Sequence, residues 1–197
     1  MTPEKIQERL ASIRGGPRHI TNLINNLLNV AIIEDENIGF SPEQCNPGHV
    51  ALMCIQSQLD VAPGFEIVSD FEELSNTIFY DPMHLTQILN ILLSNAVKYS
   101  PESKEIKVRG WNDKNSTFIS VSDYGVGIPT GDMANMFKRY FRAGNVTNIP
   151  GAGISLHVAM KLLDAQGGEI ALESIDGEGT TVTVRLPTET LGVDALL

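Results

Sequence analysis

The stretch QILNILLSNAVKYSP, residues 87 to 101, decides how this chain is read. Leu85, Ile88, Leu89, Leu92, Leu93 and Ala96 recur at intervals of three and four, the spacing that gathers apolar side chains on one stripe of an α-helix. Asp81-Pro82 opens this helix, and Pro101 follows its end. Near that end stand Asn95, Lys98 and Tyr99, three groups that a core helix does not need. At i, i+3 and i+4 they share one helix face. An asparagine amide oxygen suits a hard cation such as Mg²⁺. A neighbouring lysine can bind a phosphate, and a tyrosine can flank a base or a ribose. The competing reading is a plain solvated helix end.

Outward from this helix, the spacing predicts a helix over His49–Val61 and short strands over Phe65–Asp70 and Thr77–Tyr80. Beyond it, β-branched residues with period-two alternation predict strands over Glu105–Trp111 and Thr117–Asp123. A loop-rich stretch then carries Gly125, Gly127, Gly131, Gly144, Pro150, Gly151 and Gly153, and a helix over Ile154–Ala165 follows. Two closing strands, Glu169–Ser174 and Thr180–Leu186, are joined by the turn Asp176-Gly177-Glu178-Gly179. Helices mixed with hairpin-linked strands predict a two-layer α/β sandwich with a mixed, largely antiparallel sheet.

The beginning of the chain has a different pattern. Ile6, Leu10, Ile13, Pro17, Ile20, Ile24, Leu27 and Ala31 alternate spacings of four and three, a heptad seam interrupted by Gly15-Gly16-Pro17. The seam keeps its phase across the interruption, which predicts a kink or short hinge. The expected organisation is a helical segment over 1–36, a polar linker over 37–48, a main domain over 49–188 and a frayed tail over 189–197. A half-bundle leaves an apolar stripe uncovered, so self-association, such as a homodimer, or partner docking is expected.

Composition excludes several classes. A net charge of −10 speaks against a nucleic-acid surface, which needs clustered cations. Apolar runs such as Ile88–Leu93 are broken within a few positions, so no membrane span and no direct membrane contact are expected. Glu4, Lys5, Glu8 and Arg9 interrupt any signal-peptide pattern, which with the two cysteines, Cys45 and Cys54, reads as a cytoplasmic chain with reduced thiols. No Cys/His spacing suggests zinc.

Three further motifs add to the helix face. SDYGVGIP places Asp123 at a strand end, followed by Gly125 and Gly127; a carboxylate there accepts from an exocyclic amine, and the glycines let the backbone approach a flat ligand. GAGISLH, from Gly151, leads glycines into a helix N-terminus, an anion-binding arrangement without the P-loop or dinucleotide fingerprint. GEGTTVTVRLP sets Thr180 after Gly179 at a strand start. Singly, each also reads as an ordinary turn or junction; the four in this order are a strong combination.

In that order, over about Asp81 to Pro187, they resemble the nucleotide-binding fold of sensor histidine kinases, Hsp90-type chaperones, type II topoisomerases and mismatch-repair ATPases, the Bergerat-type fold. The chain looks most like a sensor histidine kinase. QILNILLSNAVKYSP is similar to its N box, DYGVGIP to the first glycine box, MFKRYFRAG to the F box and GAGISL to the second glycine box. LINNLLNVAIIE, within the leader, resembles the second helix of the kinase dimerisation hairpin.

The resemblance implies an ATP site. Asn95 holds Mg²⁺, Lys98 touches phosphate and Tyr99 flanks the nucleoside. Asp123 accepts from the adenine amine, supported through water by Thr180. Gly125 and Gly127 line the base pocket, Gly151 and Gly153 shape a phosphate lid over about Ala143–Ala152, and Arg142 reaches the γ-phosphate. The implied reaction is transfer of the γ-phosphoryl of Mg-ATP to a histidine on a dimerisation helix, feeding a response regulator receiver domain. Three departures stand beside it. Where the N box has a further asparagine, this chain has Ile91; Asn90 cannot replace it, because five residues advance a helix about 500° and leave Asn90 roughly 140° from Asn95. Ser155 replaces a third glycine. No histidine is followed by the acidic residue and proline of the phosphoacceptor motif, and His19 lacks that setting. A non-catalytic binding or scaffold module is therefore the alternative reading, and an ATP-gated clamp a more distant one. His49, His84 and His157 read as structural, and FKRYFR as a lid hinge or a docking surface.

Overall fold

The computed structural model describes residues 38–74 and 77–188. The seam over 1–36, its Pro17 interruption, His19 and the tail over 189–197 lie outside the described residues.

Strand β1 (Glu43–Cys45) leads into helix α1 (Pro47–Val61), and strand β2 (Glu66–Glu73) follows. After β3 (Ile78–Tyr80) comes the central helix α2 (Pro82–Tyr99), then the hairpin of β4 (Glu105–Asn112) and β5 (Ser116–Asp123). The glycine-rich region holds two single 3₁₀ turns, Met133–Asn135 and Gly144–Val146. Helix α3 (Ser155–Asp164) and the hairpin of β6 (Glu169–Ile175) and β7 (Gly179–Pro187) complete the order. Five strands form one sheet in the order β2-β4-β5-β7-β6. Only β2 and β4 run parallel; the other three pairings are antiparallel. The sheet is thus mixed and largely antiparallel, as the pattern predicts.

The periodicity of each element is realised as burial. On α2, Leu85, Ile88, Leu89, Leu92, Leu93 and Ala96 are all buried, while Asn90 faces solvent. Ile106 and Val108 of β4, Ile119 and Val121 of β5, and Val184 and Leu186 of β7 form the facing layer. Val158, Ala159, Leu162 and Leu163 of α3 join this core. Both cysteines are free and buried, and burial pushes the Cys54 thiol up to about 11. No helix among the described residues is long and apolar enough to cross a membrane.

The stretch read as linker is only partly one. Its residues Glu43–Cys45 pair antiparallel with β3, with Cys45 opposite Ile78, and Asn46 Oδ1 caps α1 by accepting from His49 N at 2.9 Å. Such a short strand carries no readable period, and its pairing depends on a partner far along the chain.

Asp81 ties these pieces together. Its Oδ1 accepts from Met83 N (2.8 Å) and His84 N (3.1 Å), which caps α2. Its Oδ2 accepts from Ser41 N at 2.7 Å, and its own N–H donates to Gln166 Oε1 at 2.8 Å. The buried Gln166 then donates from Nε2 to His84 Nδ1 at 3.1 Å. Burial opposes the Asp81 charge, but the N–H groups of Ser41, His84 and Met83 and the His84 imidazole outweigh it and hold the carboxyl below its ordinary value. Asp81→Ala is expected to cost about 2–3 kcal/mol in denaturant unfolding at neutral pH, because three donors lose a charged acceptor. A depressed folded value stabilises above the ordinary carboxylate range and loses that contribution as pH falls through it. The gap between the two proteins should therefore close only below roughly pH 4. A gap that stayed constant into stronger acid would assign the loss to packing instead.

Candidate functional site

The C-terminal half of α2 turns one stripe toward a cleft: Leu92, Asn95, Ala96 and Tyr99 all line it. Leu92 and Ala96 are buried beneath, so the helix has no freedom to rotate Asn95 away. Ile91, one turn before Asn95, is 7% exposed, so the face offers a single amide. Lys98 lies beside the cleft. Its Nζ donates to Tyr99 Oη at 3.0 Å and sits 4.7 Å from the centre of the Tyr99 ring. Among the described residues this ammonium makes no ion pair. A Cβ at Gly151 would overlap its Nζ, so the glycine is what lets the chain pass over the cation.

The sheet supplies the second wall. Asp123 ends β5 opposite Thr180 of β7, and both line the cleft. Asp123 Oδ1 accepts from Gly125 N at 2.9 Å. Burial pushes its carboxyl above the ordinary value, and the Gly125 N–H, the Ser100 hydroxyl and the Thr180 N–H only partly offset this. A half-buried carboxylate with spare acceptor capacity is prepared for a donor. Thr180 Oγ1 is 2.9 Å from Ser174 Oγ, which donates to the Gly179 carbonyl at 2.7 Å.

Gly125 has another task than lining a pocket. A Cβ there would overlap the Tyr99 carbonyl, and Val126 N donates to that same carbonyl at 3.0 Å. The glycine thus clamps the loop after β5 onto the end of α2, holding Asp123 and Asn95 in one frame. Gly127 lines the cleft with φ of +62°.

The third wall is the glycine-rich segment. Ala143 and Val146 are buried with Ile128, and Tyr99, Met133, Met136, Ile149 and Leu172 pack around them. Asn145 Nδ2 donates to the carbonyl of Gly127 (3.1 Å) and to Asp176 Oδ1 (3.0 Å), and Gly144 N donates to Asp132 Oδ2 at 2.8 Å. Gly153 lines the cleft at φ +68°, where a side chain would overlap the Phe141 carbonyl. Ser155 and Leu156 open α3 at the cleft, and Ile154, at the cap position, makes no side-chain capping bond. The first N–H groups of α3 therefore keep their donor capacity. His157 Nδ1 donates to the Phe137 carbonyl at 3.0 Å and has a structural partner, as does His84.

These walls border one shared, partly open cleft. Asn95, Tyr99, Asp123, Gly127, Arg142, Gly153 and Thr180 line it; Lys98, Gly125 and Gly151 are not among its lining residues. The Arg142 guanidinium donates to the carbonyls of Val146 and Ile149. Sequence reasoning missed Asn145, Ser100 and the apolar surface of Ile128, Val146 and Leu172. In the sequence Asn145 shows only as a turn residue, because its three acceptors lie on distant segments. No cluster of three His, Cys, Asp or Glu side chains suited to a metal occurs among the described residues.

Comparison with known proteins agrees with this geometry. Residues 80–190 match the family model described as histidine kinase-, DNA gyrase B-, and HSP90-like ATPase. The circadian input-output histidine kinase CikA of Synechococcus elongatus is 29% identical over 194 residues, which is 95% of this chain and 26% of CikA. The sensor histidine kinase WalK of Bacillus subtilis is 29% identical over 170 residues, 84% of this chain and 28% of WalK. The chain thus spans little more than a quarter of the length of these two relatives. Among solved structures, full-length ShkA in complex with AMPPNP superimposes with a TM-score of 0.75 at 22% identity, covering 98% of this chain and 41% of ShkA. The mycobacterial sensor histidine kinase MprB superimposes with a TM-score of 0.68 at 22% identity, covering 76% of this chain and all of that one. At these identities the structures speak for the fold.

Proposed function

Because the chain belongs to the histidine kinase-, DNA gyrase B- and HSP90-like ATPase family, with sensor histidine kinases as its curated relatives, we propose that its cleft binds Mg-ATP and serves histidine phosphorylation. The γ-phosphoryl goes to a histidine on a dimerisation helix, and from there to a response regulator receiver domain. The observation that carries this reading is the convergence of Asn95 and Tyr99, Asp123 and Gly127, Gly153, and Thr180 on one cleft from four separate parts of the chain.

In this reading Asp123 accepts from the adenine amine, with Thr180 beside it, while Ile128, Val146 and Leu172 cover the ring faces. Lys98, free of ion pairs among the described residues, neutralises phosphate charge. Asn95 contributes one hard oxygen for Mg²⁺. With no carboxylate cluster at hand, the donor set fits an ion that arrives with the triphosphate and keeps water ligands. The ion, when bound, supplies charge neutralisation on the phosphate oxygens. The chain's own part is to hold the nucleotide in line and to exclude water with the segment over Ala143–Ala152, which suits a reaction that depends on positioning.

The test is transfer in trans. The protein is mixed with γ-labelled ATP and a partner helix bearing a histidine in the phosphoacceptor setting. Acid-labile, base-stable label on the partner is the expected result, reduced about tenfold or more by Asn95→Ala, because the variant weakens the hold on an ion whose charge stabilisation is worth several kcal/mol in all. Nucleotide binding without any label would count against catalysis. Absence of nucleotide binding would favour the non-catalytic scaffold reading that Ile91 and Ser155 motivate.

A further inference from the structure

Arg142 lines the cleft, yet its charge is directed elsewhere. Its Nη2 donates to the carbonyls of Val146 and Ile149, both on the segment that follows it. Its Nε is buried without a partner among the described residues. The two carbonyls sit where the apolar wall is built. Val146 is buried with Ala143 and Ile128, Ile149 packs on that cluster, and Ala143 and Val146 themselves line the cleft.

The rest of the segment is held at its other end. Gly144 N is bonded to Asp132, and Asn145 to Val126, Gly127 and Asp176. Between Val146 and Gly151 the Arg142 Nη2 holds two carbonyls, beside the bond from Ile149 N to the Val146 carbonyl. The N–H groups of that nitrogen are fixed in the guanidinium plane, so one residue can set the spacing of two carbonyls. A lysine in its place would keep the charge and lose that fixed plane, since its ammonium rotates on a flexible stem.

We infer that Arg142 is a positioning residue that builds the apolar wall of the cleft, and that it does not serve as a ligand of the terminal phosphate. Removing it frees the backbone from Val146 to Gly151 and loosens the surface against which a ring system packs. The loss then falls on every ligand that uses that wall, however many phosphates it carries.

Two measurements on the whole chain test this. The first needs no ligand. Hydrogen exchange followed by mass spectrometry compares the parent, R142A and R142K. Peptides covering residues 143–152 should exchange about tenfold faster in R142A, and by a smaller factor in R142K, while peptides of β4 and β5 stay at the parent rate. Unchanged exchange over 143–152 in R142A would overturn the inference. If R142A loosened the whole chain, the milder R142K decides by whether its effect stays within 143–152.

The second measurement rests on the nucleotide reading. Affinities for adenosine, ADP and a non-hydrolysable ATP analogue are compared in the parent and R142A. The inference requires the three to fall by one common factor. A loss confined to the triphosphate would make Arg142 a phosphate ligand and overturn it. Failure of the parent to bind any of the three would instead sink the nucleotide reading, with the exchange experiment still deciding the role of Arg142.

Discussion

Asp123→Asn is expected to weaken binding of an adenine nucleotide by roughly 10- to 150-fold, because a hydrogen bond to a charged group contributes about 1.5–3 kcal/mol. The same substitution should leave the unliganded protein as stable as the parent, or more so. Burial raises the Asp123 carboxyl above its ordinary value, against the Gly125 N–H, the Ser100 hydroxyl and the Thr180 N–H, which lower it. A raised folded value means that the fold disfavours the ionised form, and stability is gained as pH falls through that value. An amide can still accept from Gly125 N and carries no charge to desolvate. The parent's affinity should also decline on acidification at a pH above the ordinary carboxylate range, as the acceptor is protonated, whereas the Asn variant should show no such step. Calorimetric titrations across mildly acidic to neutral pH, paired with thermal melts, read both effects. A variant that lost stability and kept its affinity would make Asp123 a structural residue.

Gly127→Ala is expected to cost about 3 kcal/mol or more and to deform the cleft at the same time. The backbone sits at φ +62°, which costs an L-residue roughly 1–2 kcal/mol. The added Cβ would also overlap the Ile175 carbonyl and lie 2.7 Å from its carbon and 3.0 Å from Asp176 Cα, all backbone atoms that no rotamer change can clear. Overpacking of this kind adds typically about 1–3 kcal/mol. The shift would carry with it the bond from Gly177 N to the Val126 carbonyl (2.9 Å) and the bond from Asn145 to the Gly127 carbonyl. Gly177 is the control: its φ is +81°, but nothing lies within 4 Å of its added Cβ. Gly177→Ala should therefore cost only the conformational part, about 1–2 kcal/mol, with ligand affinity retained. Equal costs in denaturant unfolding would show that close approach at Gly127 is unimportant.

The contrast between these glycines shows what a sequence conveys here. A glycine in DYGVGIP announces that the backbone needs room or a left-handed turn, but not which atoms occupy the space. Gly125 and Gly127 therefore looked alike as pocket glycines. One clamps the loop to the Tyr99 carbonyl, while the other borders the cleft against the turn after β6. The helix α2 was legible almost completely. Its cap, its apolar stripe and its polar face all follow from local spacing, and the outward-facing Asn90 follows from helix geometry. The strand β1 was not legible, since Glu43–Cys45 becomes a strand only by pairing with Ile78–Tyr80. The bonds of Arg142 were equally hidden. They join its guanidinium to the Val146 and Ile149 carbonyls, four and seven residues on, and depend on how that segment folds.

The most direct test of the central claim is a calorimetric titration of the chain with a non-hydrolysable ATP analogue, with and without Mg²⁺. Convergence of Asn95, Asp123 and Thr180 on one cleft predicts saturable one-site binding, tighter with Mg²⁺ and weakened by Asp123→Asn. Absence of heat and of any thermal shift at roughly millimolar analogue, where a site even of weak affinity would fill, would contradict it.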